Sequence, residues 1–496
     1  MFARKYSDSF QEKSYSKEKL VAQLPFGRGV LMWAILLFGY FLFITAWFSA
    51  GYTQGNGDIG WSNAFFGTKV DSTVSQAVNY GITAGRGIGS FLIGYLIVKL
   101  THRYAALLAL TLLVMAIPSV GVGFALAKSG SGVAGYALFI IFRLFMAVGG
   151  TTLIVLLQPV LAKTLRNQRQ KAIFSSINPF GFNMGFIITT AIFISPSITT
   201  FLQTGDNWFY FSLAFSLLNL IPLLAYIVLG LNFDIQRAGE ETKEEQEVVR
   251  DDTIFSLMRE KNTWAWIVVY TIWLVAAVMP IVGTNVTAIN SLLGIKNGDT
   301  TVYTGPFADS ISNTALTTPG QWVRPWAVLF VGGILIGAFS IGRFTKTSFK
   351  RKPFMITVTA IGVLLYILSI ISNVHGHVSL YLVFGFLFGV VVWGIQGPLL
   401  NNPYELPNAT PKRMGLFFGI IWGMGYLGFT LVNVILAIVV DVSPIAYFAL
   451  LTIIIGLLPV SLFFIKESKP NGLIRFNPFN NTSLTTKVSL STSLRR

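Results

Sequence analysis

The sequence predicts an all-α membrane protein with twelve transmembrane helices, arranged as two parallel six-helix repeats. Three observations predict it. Hydrophobic residues make up 53% of the 496 and charged residues only 11%, with a mean hydropathy of +0.66, where soluble chains carry about a quarter charged residues. The apolar residues fall into twelve runs, each long enough to cross a bilayer as a helix that satisfies its own backbone hydrogen bonds. The first six runs have partial counterparts, in the same order and direction, among the last six.

The runs are 29–54, 77–100, 104–127, 135–160, 172–196, 208–231, 263–285, 325–345, 354–373, 378–400, 415–440 and 444–465, called spans 1 to 12. Residues 1–28 are polar and basic, and the first run is too long for the core of a cleaved signal peptide, so span 1 is expected to remain. Four Lys/Arg fall in the loops of one side (Lys69, Lys128, Lys296, Arg324) and two lie well within spans (Arg86, Arg143). All the others of the 36 lie on the opposite side. The positive-inside rule makes that side cytoplasmic, with both termini inside a plasma membrane. The division expected is a cytoplasmic segment 1–28, a six-helix bundle 29–231, an acidic linker 232–262, a second bundle 263–466 and a disordered tail 467–496. The linker ends in the amphipathic stretch 254–258, and the outer loop 286–324, rich in Gly, Thr and Asn, is expected to be mobile.

The repeat rests on residues. Gly89-Ser-Phe-Leu-Ile-Gly94 in span 2 matches Gly337-Ala-Phe-Ser-Ile-Gly342 in span 8, and the register carries His102-Arg103 onto Lys350-Arg351. In spans 4 and 10, Phe142-Arg-Leu-Phe-Met-Ala147 matches Phe384-Gly-Phe-Leu-Phe-Gly389. Two parallel halves of six spans are an arrangement used by secondary transporters.

At this point the chain resembles the major facilitator superfamily. The loop after span 2 carries Gly94, Lys99, His102 and Arg103 in the pattern of that family's loop signature, with Val98 where the signature has Asp. Span 4 carries Arg143 followed by Gly149-Gly150, similar to the family's span-4 arginine motif. The resemblance covers roughly residues 29–466 and implies the major facilitator fold and transport by alternating access. It also implies a conformational role for Gly94, Lys99, His102 and Arg103 and for their counterparts Gly342, Lys350 and Arg351.

Glycines at four-residue spacing put small residues on one helix face: Gly81, Gly85 and Gly89 in span 2, Gly181 and Gly185 in span 5, Gly333 and Gly337 in span 8, and Gly415, Gly419 and Gly423 in span 11. The resemblance places these four spans where the halves cross, so the stripes are expected to form a moving interface. Ordinary tight packing is the alternative.

The distribution of charge is the most informative functional feature. All twenty Asp and Glu fall in loops, tails or near span ends, so no intramembrane carboxylate is on hand for Arg86 or Arg143. A cation at mid-bilayer costs about 2.5–3.5 kcal/mol even on lenient scales. Either water or the cargo must compensate it, and two guanidinium forks at similar depth could converge on one anion. Tying down backbone carbonyls is the alternative, above all for Arg143. A span-2 arginine resembles that of nitrate/nitrite porters, but their second arginine, in span 8, has no counterpart. The arginines of sugar-phosphate porters, in spans 1 and 7, are absent too. Polar and aromatic residues near mid-span could line the rest of a cavity: Tyr40, Asn178, Asn183, Tyr270, Trp273, Trp393, Gln396, Trp422 and Tyr426. Pro179, Pro280 and Pro398 are expected to kink their helices.

The three histidines (His102, His375, His377) lie in loops, so proton coupling through a buried group is disfavoured. With no cysteine there is no disulfide or thiolate metal site. No phosphate-binding loop or nucleophile–base pattern is present, so neither an enzyme nor an ATP-driven pump is expected, and no cofactor. The basic residues form no single patch, so nucleic acid is not an expected partner; lipid and a small-molecule solute are, for a monomer. The expectation is a transporter of a small anionic metabolite, an organophosphate or carboxylate. Rivals are a facilitator of a neutral sugar or nucleoside, a drug exporter, and a transporter-shaped membrane sensor.

Overall fold

The computed structural model describes residues 25–54, 60–67, 70–100, 102–164, 174, 177–178, 180–231, 253–282, 285, 288–289, 292, 322–341, 349–406, 411–470 and 472. They are almost entirely helical. With each helix numbered by its span, α1 is Phe26–Tyr52, α2 Ala77–Lys99, α3 His102–Lys128, α4 Gly132–Thr164, α5 Phe180–Ile192 and α6 Asn207–Leu229. The second half has α7 at Lys261–Val278, α8 Val323–Ser340, α9 Arg351–Val374, α10 Val378–Asn401, α11 Pro411–Val442 and α12 Pro444–Ser461. Among the described residues ten helices are long and apolar enough to cross a membrane, or eleven if α5 and Ser197–Gln203, bent by 92° from it, make one span. The remaining helix is α2, whose 23 residues reach about 35 Å at 1.5 Å per residue.

Local chemistry sets the boundaries. Ser443 caps α12, accepting from the Ala446 N–H at 3.2 Å, with Pro444 at the first helical position. Asp71 caps the short helix Ser72–Ser75 in the same way at 2.7 Å. The outer turns α3–α4 and α9–α10 each contain a left-handed glycine, Gly130 (φ +84°) and Gly376 (φ +74°), a conformation that favours glycine. Pro280 lies in the 3₁₀ turn Met279–Ile281 that ends α7, and Pro398 in the last piece of α10, after a break at Ile395; Pro179 lies outside the described residues.

The repeat is visible in the packing. A Cβ on Gly85 would stand 2.5 Å from the Leu144 carbonyl oxygen, and one on Gly89 would stand 2.8 Å from that of Val148, both in α4. In the second half Gly333 and Gly337 press in the same manner on Gly389, Val390 and Gly394 of α10. The glycine stripes therefore do not form the moving interface expected of them. Gly81, Gly85 and Gly89 serve α2–α4, Gly181 and Gly185 serve α5–α1, and Gly333 and Gly337 serve α8–α10, all inside one half. Only α11 matches the expectation: Gly419 and Gly423 face Ser90 and Phe91 of α2, and Gly87, from the opposite face of α2, meets the Gly423 carbonyl. Small residues let backbones approach, and here that closeness builds each bundle more than it lubricates the seam.

Between the halves, the polar contacts among the described residues cluster at the side that charge counting makes the outside. Asp441 at the end of α11 accepts from the Ser72 N–H at 3.0 Å and the Ser72 hydroxyl at 2.6 Å. Thr430 donates to Thr83 at 2.7 Å. Arg324, at the start of α8, donates to the Phe193 carbonyl and to Thr199, with its guanidinium 5.5 Å from the Tyr52 ring centroid. Deeper in, Asn183 donates to the Val331 carbonyl at 3.3 Å. These contacts tie the two halves together on that side. Asp441→Ala should loosen this tie. The chain has no native cysteine, so a single probe in place of Asn433, buried on α11 with its amide unpartnered, can report it. Alkylation by an impermeant maleimide from outside should speed up in the Asp441→Ala background.

Candidate functional site

Arg86 sits at the centre of the molecule, on α2, with 5% of its surface exposed. One face of α1 supplies Tyr40, Phe43 and Trp47, at positions i, i+3 and i+7 of a helix, which share a side. The Arg86 guanidinium lies 4.4 Å from the ring centroid of Tyr426 (α11), 5.3 Å from Trp47, 5.7 Å from Phe43 and 5.9 Å from Phe182 (α5). Its hydrogen bond is a long one, from Nη2 to the Tyr40 hydroxyl at 3.3 Å; Nε and Nη1 are buried without a partner.

The second half closes the chamber. Tyr270 of α7 packs 6.4 Å from Tyr426, 6.5 Å from Trp422 and 5.4 Å from Trp273. Trp273 stands edge-on to Trp393 at 6.0 Å, and Trp393 reaches Phe182 of the first half at 5.5 Å. Trp273 Nε1 is used up on the Val392 carbonyl at 2.9 Å, whereas Nε1 of Trp393 and of Trp422 are unpartnered. The chamber therefore has a cation and further N–H donors, all set among aromatic faces. Cation–π contacts contribute about 0.5–2 kcal/mol each, enough to hold a guanidinium in place but not to neutralise it.

Of the candidate residues, Tyr40 and Tyr426 contact Arg86 directly, and Tyr270, Trp273, Trp393 and Trp422 join them through ring contacts. Three others lie elsewhere. Asn178 accepts from Trp33 Nε1 at 2.8 Å near the inner end of α1. Asn183 pins α5 to α8. Gln396 lies half-buried beyond the break in α10. Arg143 does not converge with Arg86 on one pocket. Its Nη1 and Nη2 donate to the Ala46 and Trp47 carbonyls at 3.1 and 3.2 Å, and it lines a separate cavity with residues of α1, α3, α4 and α6. Phe43, Trp47 and Phe182 were missed as site residues; the i, i+3, i+7 spacing from Tyr40 was the available signal for the first two.

At the side that charge counting makes cytoplasmic, the two repeats have diverged chemically. His102 is buried, with Nε2 2.9 Å from the Leu156 carbonyl and Nδ1 3.0 Å from the Tyr226 hydroxyl. Arg103 is half-buried. In the second half Arg351, 1% exposed, makes a bidentate pair with Glu405, Nε to Oε2 at 3.0 Å and Nη2 to Oε1 at 2.7 Å. Lys350 stands at the N-cap position of the same helix with no side-chain capping bond, while Gly342 and the surroundings of Gly94 and Lys99 lie outside what is described. The tail begins ordered rather than disordered. Glu467 accepts from the Arg351 and Lys352 backbone N–H groups, each at 3.0 Å, and Ser468 donates to Glu405 at 2.9 Å.

Burial alone would raise the Glu405 pKa. Hydrogen bonds from Arg351 and Ser468, with the charges of Arg351 and Lys469, outweigh it and hold the carboxyl below its ordinary 4.5. A carboxylate whose pKa is lowered by folding stabilises the fold above its unfolded value, and that contribution fades as pH falls through the folded value. Thermal unfolding of the protein should therefore show an acid-induced loss beginning below about pH 4.5, and Glu405→Gln should flatten that part of the profile.

Comparison with known proteins agrees with this architecture. The family described as Mycoplasma MFS transporter matches residues 139–441. An uncharacterised protein of Mesomycoplasma hyopneumoniae is 35% identical over 452 residues, covering 87% of this chain and 85% of its own. A major facilitator superfamily transporter of Mycoplasma pneumoniae is 25% identical, covering 84% and 86%. Among solved structures, a D-xylose-proton symporter superposes with a TM-score of 0.59 at 15% identity over 89% of this chain and 99% of that one. The inward-open xylose transporter of E. coli gives 0.58 at 14% identity, covering 89% and 98%. These two show the shared fold. Taken with the parallel halves and the chamber between them, the matches establish that the chain belongs to the Mycoplasma family of major facilitator superfamily transporters.

Proposed function

We propose that this transporter moves a small anionic metabolite, an organophosphate or a carboxylate, across the plasma membrane, with both termini in the cytoplasm and Arg86 as the group that receives the anion. The observation that carries this reading is the state of Arg86: a guanidinium buried between both halves, with Nε and Nη1 unpartnered and aromatic rings where a counter-charge would stand. A phosphate or carboxylate would supply the missing acceptors in the bidentate geometry the fork favours, and Trp393 and Trp422 Nε1 could donate to the remaining oxygens. Because Arg86 on α2 is joined by rings from α1 and α5 on one side and from α7, α10 and α11 on the other, an occupant would touch both halves and be exchanged between the two sides as they rock. The test is counterflow into proteoliposomes with labelled phosphorylated or carboxylated metabolites. Entry only of neutral solutes would sink the anionic reading.

A second reading has its own support. Chambers rich in Trp and Tyr suit the apolar faces of sugars, and the solved neighbours named above carry xylose. In that reading the cargo is neutral, Arg86 donates to hydroxyls, and phosphorylated analogues fail to compete.

A further inference from the structure

Arg143 carries a second buried charge, apart from the Arg86 chamber. It is 4% exposed; two of its nitrogens serve α1 carbonyls and its Nε has no partner. Trp208 of α6 is 1% exposed, and its Nε1 has no partner either. Both side chains line one cavity inside the first half, of about 20 Å³, where roughly 10–15 Å³ suffices for one water-sized occupant. Of the other polar groups on the wall, all but the Ser212 hydroxyl have already spent their protons. The Ser49, Ser119 and Ser216 hydroxyls donate to the Ala46, Phe139 and Ser212 carbonyls, and Trp61 Nε1 donates to that of Ala50. No carboxylate lines the cavity.

A guanidinium without a counter-charge and unpartnered N–H groups, on two residues that line one cavity, select an acceptor with negative charge. Water would satisfy the donors but leave the charge. A polyatomic anion the size of phosphate exceeds the space. We propose that this cavity binds a halide-sized monovalent anion, chloride in practice, between Arg143 and Trp208, as a fixed counter-ion of the first six-helix half. The site is independent of the cargo chamber.

The test is thermal unfolding of the purified full chain in chloride, bromide or gluconate at constant ionic strength, together with anomalous diffraction from crystals grown in bromide. The expected result is a saturable rise in melting temperature with either halide over gluconate, and a bromide peak in this cavity. Trp208→Phe removes one N–H and keeps the ring. It should raise the half-saturating halide concentration by about tenfold or more, the range for a hydrogen bond to a charged group. Arg86→Gln should leave the halide response in place. A melting temperature indifferent to halide, or an unchanged response in Trp208→Phe, overturns the site. If Trp208→Phe does not fold, the crystals decide, and a cavity without bromide density overturns it.

Discussion

Arg86→Gln should abolish transport while leaving the protein at least as stable as before. The two halves of this expectation have separate causes. In the structure the guanidinium is held by one long hydrogen bond and four aromatic faces, with two donors idle. A buried cation costs about 2.5–3.5 kcal/mol on lenient insertion scales, and cation–π contacts return part of that. Exchanging it for a neutral amide of similar reach therefore removes a burden from the fold. With an anion bound the balance reverses. Two charge-assisted hydrogen bonds at about 1.5–3 kcal/mol each are lost, which corresponds to an affinity reduced by at least about a hundredfold. Uptake into proteoliposomes reads the first effect and thermal unfolding the second. A variant that melts early and transports normally per folded molecule would assign Arg86 to scaffolding.

Glu405→Gln should produce the largest loss of stability. Arg351 is 1% exposed, and the Glu405 side chain, at 22% exposed, neutralises it through two parallel hydrogen bonds. Removing one partner of a buried pair weakens the compensation of the other charge, and a complete loss of it costs about 3–5 kcal/mol. Here the nearby Glu467 carboxylate, which caps the start of α9, keeps the loss toward the lower end. The substitution also weakens the contacts of Ser468 and Lys469 with Glu405, so the chain after α12 should become more accessible to protease. Limited proteolysis of the tail and a melting curve check the two consequences together. Unchanged cleavage would mean that the capping of α9 alone holds the tail.

The spans were legible in the sequence because a bilayer imposes one requirement on every crossing segment: enough apolar length, with backbone groups satisfied internally. The residues around Arg86 were partly legible for the same reason. A charge among apolar residues has few explanations, and aromatic residues near mid-span can be listed from hydropathy alone. Direction around the helix axis was not legible. Arg86 and Arg143 lie at similar depths, yet one faces the seam between the halves and the other the interior of its own half. The glycine stripes failed on the same point: four-residue spacing marks a tight face, and only the fold reveals that the neighbour of Gly85 and Gly89 is α4 rather than α11. Contacts between segments distant in sequence, such as Asp441 with Ser72 and Arg324 with Thr199, left no local pattern at all. The ordered start of the tail was hidden because Glu467-Ser468-Lys469 reads as a solvated polar stretch until Arg351 and Glu405 are beside it.

Whether the charge of the cargo complements Arg86 is decided by thermal-shift titration of the purified protein with matched ligand pairs that differ only in charge, a sugar phosphate against its parent sugar and a carboxylate against its amide. The anionic member of at least one pair should stabilise the protein saturably, its neutral twin should not, and the difference should vanish in Arg86→Gln. Equal stabilisation by both members, surviving in Arg86→Gln, would contradict this complementarity and assign the chamber to a neutral solute.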